Sequence, residues 1–332
     1  MPGLRIGHAS DPDGGTGITV FLVEDGAVAG VHVAGFASGT RQADSLDPMH
    51  LVPVIQGLVL AGGSGFGLDA TQGVVAFLEA RGRGFPVGKR VVPIVPTAIL
   101  FDLNAGDPRA VPTADLARLA CESASSHRLE VGCVGAGTGA SCGKLLGITC
   151  ATKAGLGAAA GTLPDGAEVL AVAVANPYGD IVDPASGRPI AGTRRSRRSR
   201  SLVGSGEWIR DPSRIQRATF QNTTLVVVAT SARLDKIGAQ RLARMASAGM
   251  LRALRPAPTL YDGDVVFALS TGDRLTDPNA LGSLAADLTA AAVVDAARSA
   301  WAMFGLPASS DLALAHGARP GRRSRGRRAQ PS

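Results

Sequence analysis

Asn222-Thr223-Thr224-Leu225-Val226-Val227-Val228-Ala229-Thr230 is the stretch from which the fold is read. Its unbroken β-branched and apolar run reads as a strand buried inside a layered molecule. Thr223, a small hydroxyl residue, stands at the mouth of that strand directly after an Asn. A self-cleaving hydrolase keeps its nucleophile at such a place, because scission before it creates a new N-terminus. One residue then supplies both the attacking hydroxyl and, through its freed amine, the base. The same tripeptide is also an Asn-x-Thr glycosylation acceptor and an ordinary strand entry. Upstream, residues 190–220 carry Arg, Ser, Gly and Pro with little apolar periodicity. They read as an exposed linker ending two residues before the junction, or as a surface loop joining two strands.

Composition narrows the fold around this strand. The 332 residues suffice for a large core, and 45% of them are hydrophobic, yet only 4% are aromatic while 43 are Gly. A core of Val, Leu, Ile and Ala with many close backbone approaches suits a mixed α/β layered fold better than a loose helical bundle. Segments 17–23, 28–33, 91–95, 169–175, 225–229 and 265–270 are predicted as strands. Helices are predicted over 48–60, 70–80, 113–125, 236–254 and 281–303. In the fourth helix Ile237, Leu242, Met245, Met250 and Leu254 recur near helical spacing, and Asp235 sits where an N-cap belongs.

The formal net charge of +7 raises a nucleic-acid reading, but its distribution weakens it. The excess sits in Arg194, Arg195, Arg197, Arg198 and Arg200 and in a tail, 308–332, rich in Arg from Arg319 to Arg328. Both runs read as solvated and mobile, offering no more than non-specific electrostatics. Cys121, Cys133, Cys142 and Cys150 form no C-x-x-C pair and have no clustered histidines, which points to reduced, buried thiols in a cytoplasmic protein without a zinc site. No signal core and no run of membrane-spanning length is expected.

Two glycine-rich loops invite a nucleotide. Gly65-Phe66-Gly67-Leu68-Asp69-Ala70 fits G-x-G-x-x-A, but Glu79 falls inside the predicted helix rather than at the end of a second strand. Gly135-Ala136-Gly137-Thr138-Gly139-Ala140-Ser141-Cys142-Gly143-Lys144 departs from a P-loop, because Thr138 stands at its first Gly position and Leu145 follows the Lys. What such loops do offer is backbone N–H groups for a carboxylate or an oxyanion, or merely room for close packing. His8, His32, His50, His127 and His316 are scattered without an acid or nucleophile neighbour. A hydrolase built on this chain must find its base elsewhere, which returns the argument to Thr223.

Several motifs occur in one order along the chain: Gly39-Thr40-Arg41-Gln42-Ala43-Asp44, Gly62-Gly63-Ser64-Gly65-Phe66-Gly67-Leu68-Asp69-Ala70, and Val92-Pro93-Ile94-Val95-Pro96 with Leu100-Phe101-Asp102-Leu103. Val134-Gly135-Ala136-Gly137-Thr138-Gly139, Val174-Ala175-Asn176, Asn222-Thr223-Thr224 and Asp262-Gly263-Asp264 follow. With them the chain resembles the DmpA-like L-aminopeptidase/D-esterase (β-aminopeptidase) family of self-processing N-terminal-nucleophile-type hydrolases, over roughly residues 3–305. The resemblance implies an α/β fold, a four-layer αββα sandwich of the DmpA/ornithine-acetyltransferase type. It also implies cleavage between Asn222 and Thr223 into an α chain 1–222 and a β chain 223–332, within one hydrolase domain over 1–307.

On the matching positions, the resemblance makes Thr223 the nucleophile of a serine/threonine-type aminopeptidase or amidohydrolase. It makes the Asn176 amide an oxyanion donor, and Asp262 and Asp264 the groups that orient the hydroxyl and hold a substrate ammonium. Gly137, Thr138, Gly139 and Thr224 are expected to line the oxyanion and substrate site. No cofactor or metal is implied. The implied partners are a small peptide, amide or ester and further copies of the chain in a homotetramer of αβ pairs, with no specific nucleic acid and no membrane. Cys133 stands where relatives often have Asn, Gly65 where Ala or Ser is commoner, and no tyrosine corresponds after Gly139. Two other functions compete: acyl transfer of the ornithine acetyltransferase type, and a non-catalytic protein whose basic runs bind nucleic acid or a partner.

Overall fold

In a computed structural model, residues 1–215 and 222–312 are described. Nine strands form one hydrogen-bonded network: β1 (Arg5–Asp11), β2 (Thr16–Val33), β3 (Gly39–Arg41), β4 (Ile55–Ala61), β5 (Thr97–Ile99), β6 (Leu156–Thr162), β7 (Glu168–Asn176), β8 (Thr223–Ala232) and β9 (Val265–Arg274). The strand order is β6-β7-β8-β9-β2-β4-β5-β3, with β1 also paired to β2. Pairing is antiparallel except for β8 with β9 and β4 with β5.

β2 is the hinge of the architecture. Its residues 18–22 pair with β4, its residues 28–33 pair with β9, and the register breaks between Leu22 and Ala27. Gly26 adopts a positive φ of 96°, which a side chain would resist. The predicted strands 17–23 and 28–33 are therefore one strand that changes sheets, and the network becomes two sheets laid face to face.

Side-chain alternation on β8 shows how the layers stack. Leu225, Val227 and Ala229 point into the space between the sheets with Phe21, Leu58, Leu60, Phe267 and Leu269. Val226 and Val228 point the other way, towards helices α3 (Lys236–Ala253) and α4 (Pro278–Arg298). On the second sheet Ile18, Val20, Val59 and Ala61 pack against α1 (Thr71–Glu79) and α2 (Ala114–Glu122). The result is an αββα sandwich in four layers. An uninterrupted apolar run is what a strand needs when both its faces are covered.

Small residues bring the outer layer close. A Cβ on Gly249 of α3 would overlap the Ala286 carbonyl oxygen of α4. Asp235 caps α3 by accepting from the Gly238 N–H, as expected. α4 starts three residues earlier and ends five earlier than predicted; Asp277 caps it by accepting from the N–H groups of Asn279 and Ala280. By length and a hydropathy of 1.4, α4 could cross a membrane, but its apolar residues belong to the core against α3 and the sheet.

Two sequence expectations are corrected here. Residues 48–60 do not form a helix: 55–61 are β4, with Leu58 and Leu60 facing one core and Val59 and Ala61 the other. Periodicity cannot separate a two-sided strand from a buried helix. The strand predicted at 91–95 is a short hairpin of Phe85–Val87 with Arg90–Val92, followed by Pro93.

The basic linker is also corrected where it is described. The Asp180 carboxylate accepts from the Thr193 N–H, the Ser205 N–H and the Ser205 hydroxyl. Arg194 is buried, donating to the carbonyls of Ala151, Thr149, Ser199 and Arg197. A guanidinium answered by four carbonyls is a folding element, not a solvated charge. Residues 216–220 of the linker lie outside the described residues. So do 313–332 of the tail, whose first residues are packed, with Ala308 and Leu312 buried.

Candidate active site

Three strand ends converge on the junction. β7 pairs with β8 so that Asn176 lies opposite Thr223. Asn222 forms a parallel bridge with Asp262, just before β9. The Thr223 hydroxyl donates to the Asn222 carbonyl oxygen at 2.5 Å, and the Gly263 N–H donates to the same oxygen at 2.9 Å. Gly263 is required there. A Cβ would lie 2.8 Å from Thr223 Oγ1 and would overlap the Ala37 carbonyl oxygen. The loop after β2 clamps the Asp262-Gly263-Asp264 turn: Ala34 and Gly35 N–H groups donate to the Asp264 carbonyl, and those of Phe36 and Ala37 to the Asp262 carbonyl.

Both carboxylates are buried and held differently. Asp262 accepts from the Tyr178 N–H at 2.9 Å and the Thr259 hydroxyl at 2.5 Å. Asp264 accepts from the Thr224 N–H at 2.6 Å through Oδ1, while its Oδ2 has no partner. Burial pushes both carboxyl groups above the usual carboxylate range, and the Asp262 charge adds to the rise at Asp264. Tyr178 Oη, Asn222 Oδ1 and Thr224 Oγ1 are likewise buried without a partner. Native cores satisfy most such atoms. Three of these atoms belong to Asn222, Thr224 and Asp264, at the Asn222–Thr223 junction or hydrogen-bonded to it, and mark a place built for chemistry or a ligand.

Lys144 completes the cluster. Its Nζ donates to Asn176 Oδ1 at 2.7 Å and to the Asn176 carbonyl at 2.9 Å. Burial lowers its pKa to about 7, against an opposing pull from the Asp262 charge. The Ser141 N–H also donates to Asn176 Oδ1, at 3.1 Å. Two donors on that oxygen fix the amide orientation and leave the nitrogen as the donating end, here towards the Phe101 carbonyl at 3.0 Å.

The glycine loops divide between packing and lining. Gly137 and Thr138 N–H groups donate within their own turn, to the carbonyls of Val134 and Gly135. Three nearby carbonyls, those of Gly137, Ala140 and Ala154, receive the fully buried Lys153 ammonium. Gly137 and Thr138 are thus structural, contrary to the expectation of substrate contact, because their donors are already engaged. Gly139 does line a cavity of about 130 Å³, together with Phe101, Asp102, Asn104, Ser141 and Lys144. Gly62 makes room for Asp102, whose carboxylate accepts from the Gly63 N–H and the Thr16 hydroxyl; burial raises its pKa to about 6. The turn leading into the dinucleotide-like Gly65–Ala70 segment is therefore held by a carboxylate of its own chain.

The structure thus gathers Thr223, Asn222, Asn176, Asp262, Asp264 and Thr224 and leaves Gly137 and Thr138 outside. It adds Lys144, Tyr178 and Gly263, which sequence reasoning had not assigned. Lys144 carried a signal: a lone cation inside a glycine-rich, apolar stretch has no local acid to answer it. Gly263, flanked by two acids, carried another. Among the described residues no group of three or more His, Cys, Asp or Glu side chains could hold a metal ion. What the arrangement can do is attack a carbonyl with a hydroxyl while a backbone donor stabilises the oxygen.

The model of peptidase family S58 matches residues 1–309. An uncharacterized aminopeptidase of Mycobacterium leprae is 40% identical over 296 residues, covering 82% of this chain and 77% of that protein. A 6-aminohexanoate-oligomer endohydrolase of Kocuria sp. is 31% identical over 319 residues, covering 90% and 85%. Among solved structures, the L-aminopeptidase D-Ala-esterase/amidase of Ochrobactrum anthropi, described as a variant of the Ntn hydrolase fold, superposes with a TM-score of 0.68. It is 20% identical, over 91% of this chain and 85% of that one.

Proposed function

The chain belongs to peptidase family S58 and is a hydrolase; on that premise we propose that it cuts itself between Asn222 and Thr223, and that the released Thr223 then cleaves N-terminal peptide, amide or ester bonds through an acyl-enzyme. Membership in a hydrolase family sets aside the non-catalytic reading. One observation carries the proposal: the Asn222 carbonyl oxygen receives both the Thr223 hydroxyl and the Gly263 N–H.

Thr223 Oγ1 bonds to the Asn222 carbonyl carbon, that carbon releases the Thr223 nitrogen, and the hydroxyl proton ends on the nitrogen. Water then opens the resulting ester, leaving an Asn222 carboxylate and a free Thr223 amine and hydroxyl. Gly263 is the donor for the negative oxygen of this step; losing one such donor costs about 10²–10³ in rate.

In the mature enzyme the Thr223 amine takes the hydroxyl proton, since α-amines titrate at about 7.7–8.0. Asp264 Oδ2 is the acceptor for that amine: it is buried, unpartnered in the uncut chain, and belongs to the carboxylate that holds the next residue's N–H. Lys144 holds Asn176 so that its amide nitrogen serves the substrate oxyanion. Substrates are aminoacyl peptides or other linear amides bearing a free amine; the names of the relatives span both classes. Homotetramers of αβ pairs and a cytoplasmic location belong to the same proposal. The test is replacement of Thr223 by Ala. Wild-type protein should run as two fragments on a denaturing gel and the variant as one; an identical cut in the variant would assign the scission to another protease.

A further inference from the structure

The arginine-rich segment shares a wall with the cavity lined by Phe101, Ser141 and Lys144, the three residues that hold the Asn176 amide opposite Thr223. Phe304 and Leu306 line the 130 Å³ cavity beside Lys144, and the same two residues line an open cleft of about 730 Å³ on its outer side. That cleft is bordered by Arg194, Arg197, Arg198 and Arg200. Arg197 and Arg198 also flank an adjoining hollow with Ser196. Both arginines are exposed, and among the described residues no ion pair engages either.

The loop that presents them is built rather than loose. The buried Arg194 guanidinium gathers the carbonyls of Arg197 and Ser199 around itself, which turns residues 195–200 back over the cleft. Asp180 pins the base of the loop through Thr193 and Ser205. Arg200 is tied by a hydrogen bond to the Asp311 carbonyl oxygen. The carboxylate at the rim, that of Asp311, is engaged in its own turn by the Ala308 N–H. Two unpaired guanidinium groups are thus held facing solvent on the outer side of the Phe304–Leu306 wall, whose inner side lines the cavity that Lys144 borders.

We infer that Arg197 and Arg198 form an anion subsite for the distal part of the substrate, so that the enzyme selects amides and peptides bearing a carboxylate beyond the group that fills the cavity. Guanidinium forks fit carboxylates well. Concavity and continuity with the cavity favour an extended small substrate over a nucleic acid, which would need no shared wall with Lys144. The inference rests on the hydrolase reading of Thr223 and deepens it.

The experiment compares kcat/KM for two peptide amides, Ala-Gly-Glu-Glu and Ala-Gly-Gln-Gln, and their β-alanyl counterparts, in wild type and in the Arg197→Ala/Arg198→Ala double variant. Both positions are exposed, so folding should survive. Wild type should favour the Glu substrate, and the variant should lower the Glu-to-Gln ratio about 2- to 30-fold, the range expected for two exposed charge contacts. The wild-type preference should also shrink as salt rises from low ionic strength to about 0.5 M. Calorimetric binding of non-hydrolysable analogues of the same peptides, with the first amide replaced by CH2–NH, to the matured wild type and the matured Arg197→Ala/Arg198→Ala protein gives the ratio without turnover. If wild type cleaves neither peptide yet binds Glu-Glu better, the subsite stands and the Thr223 reading suffers. Equal ratios in wild type and variant, in turnover and in binding, would overturn the subsite, whether or not an oligo(U) probe binds the rim.

Discussion

Replacing Gly263 by Ala tests whether its N–H is the donor that makes self-cleavage possible. The new methyl would sit 2.8 Å from Thr223 Oγ1 and 2.8 Å from the Ala37 carbonyl carbon, and would overlap the Ala37 oxygen. Both neighbours are stiff. Four backbone hydrogen bonds from residues 34–37 lock the loop against the Asp262-Gly263-Asp264 turn, and Thr223 is fixed in the β7–β8 ladder. Strain must therefore move the turn itself, and with it an N–H now 2.9 Å from the Asn222 oxygen. Overpacking of this size costs about 1–3 kcal/mol of stability. Removal of the donor slows the cleavage step by about 10²–10³. A time course of precursor conversion on denaturing gels, with thermal melts of the same samples, separates the two effects. Gly249→Ala is the control: it overlaps the Ala286 carbonyl between α3 and α4, far along the chain from the junction. That variant should melt lower yet mature fully. If Gly263→Ala is folded and matures within a few-fold of wild type, the donor assignment is wrong.

Other perturbations have directions fixed by the same geometry. Thr223→Ser should still mature, whereas Thr223→Val, which keeps the shape and removes the hydroxyl, should remain a single chain by intact mass. Lys144→Met deprives Asn176 Oδ1 of a donor that is charged below its pKa of about 7 and worth about 1.5–3 kcal/mol there, so turnover measured below that pH should fall about 10- to 150-fold. The folded pKa of Lys144 is lowered to about 7 from 10.5. An unfolded lysine therefore holds a proton that the folded one has released, and wild-type stability gains from this group as pH rises from about 7 towards 10.5. Urea melts across that range should show the gain in wild type and lose it in Lys144→Met. Asp264→Asn keeps an acceptor for the Thr224 N–H and removes a buried carboxyl whose raised pKa costs stability as pH climbs past the carboxylate range; the variant should melt higher near neutral pH and hydrolyse more slowly. Arg194→Ala should lower stability by about 1–3 kcal/mol through the carbonyls it abandons, as read by chemical denaturation.

How far the sequence carried can be judged from particular residues. β7, β8, β9 and the helices α1, α2 and α3 were legible because their apolar periods and caps are local. β4 was not, since Val59 and Leu60 each face a different core and the run has no period to distinguish it from a helix. The sheet change within β2 was hidden as well: 17–23 and 28–33 read as two strands, and only pairing partners distant in sequence keep them continuous. At the site, the resemblance grouped Thr223, Asn176, Asp262 and Asp264, and the structure brings these four together, a neighbourhood that spacing alone does not record. Gly137 and Thr138 were misassigned because a glycine loop looks the same whether its N–H groups face a ligand or its own turn. Arg194 was misread for the opposite reason. Its carbonyl partners at Thr149, Ala151, Arg197 and Ser199 leave no trace in side-chain identity, so a buried structural arginine looked like part of a mobile basic run.

N-terminal sequencing of the purified wild-type protein bears most directly on a threonine that frees its own amine. Two chains are expected, the shorter beginning Thr-Thr-Leu-Val at residue 223. An active preparation that consists only of the uncut chain, or of fragments starting elsewhere, would contradict it.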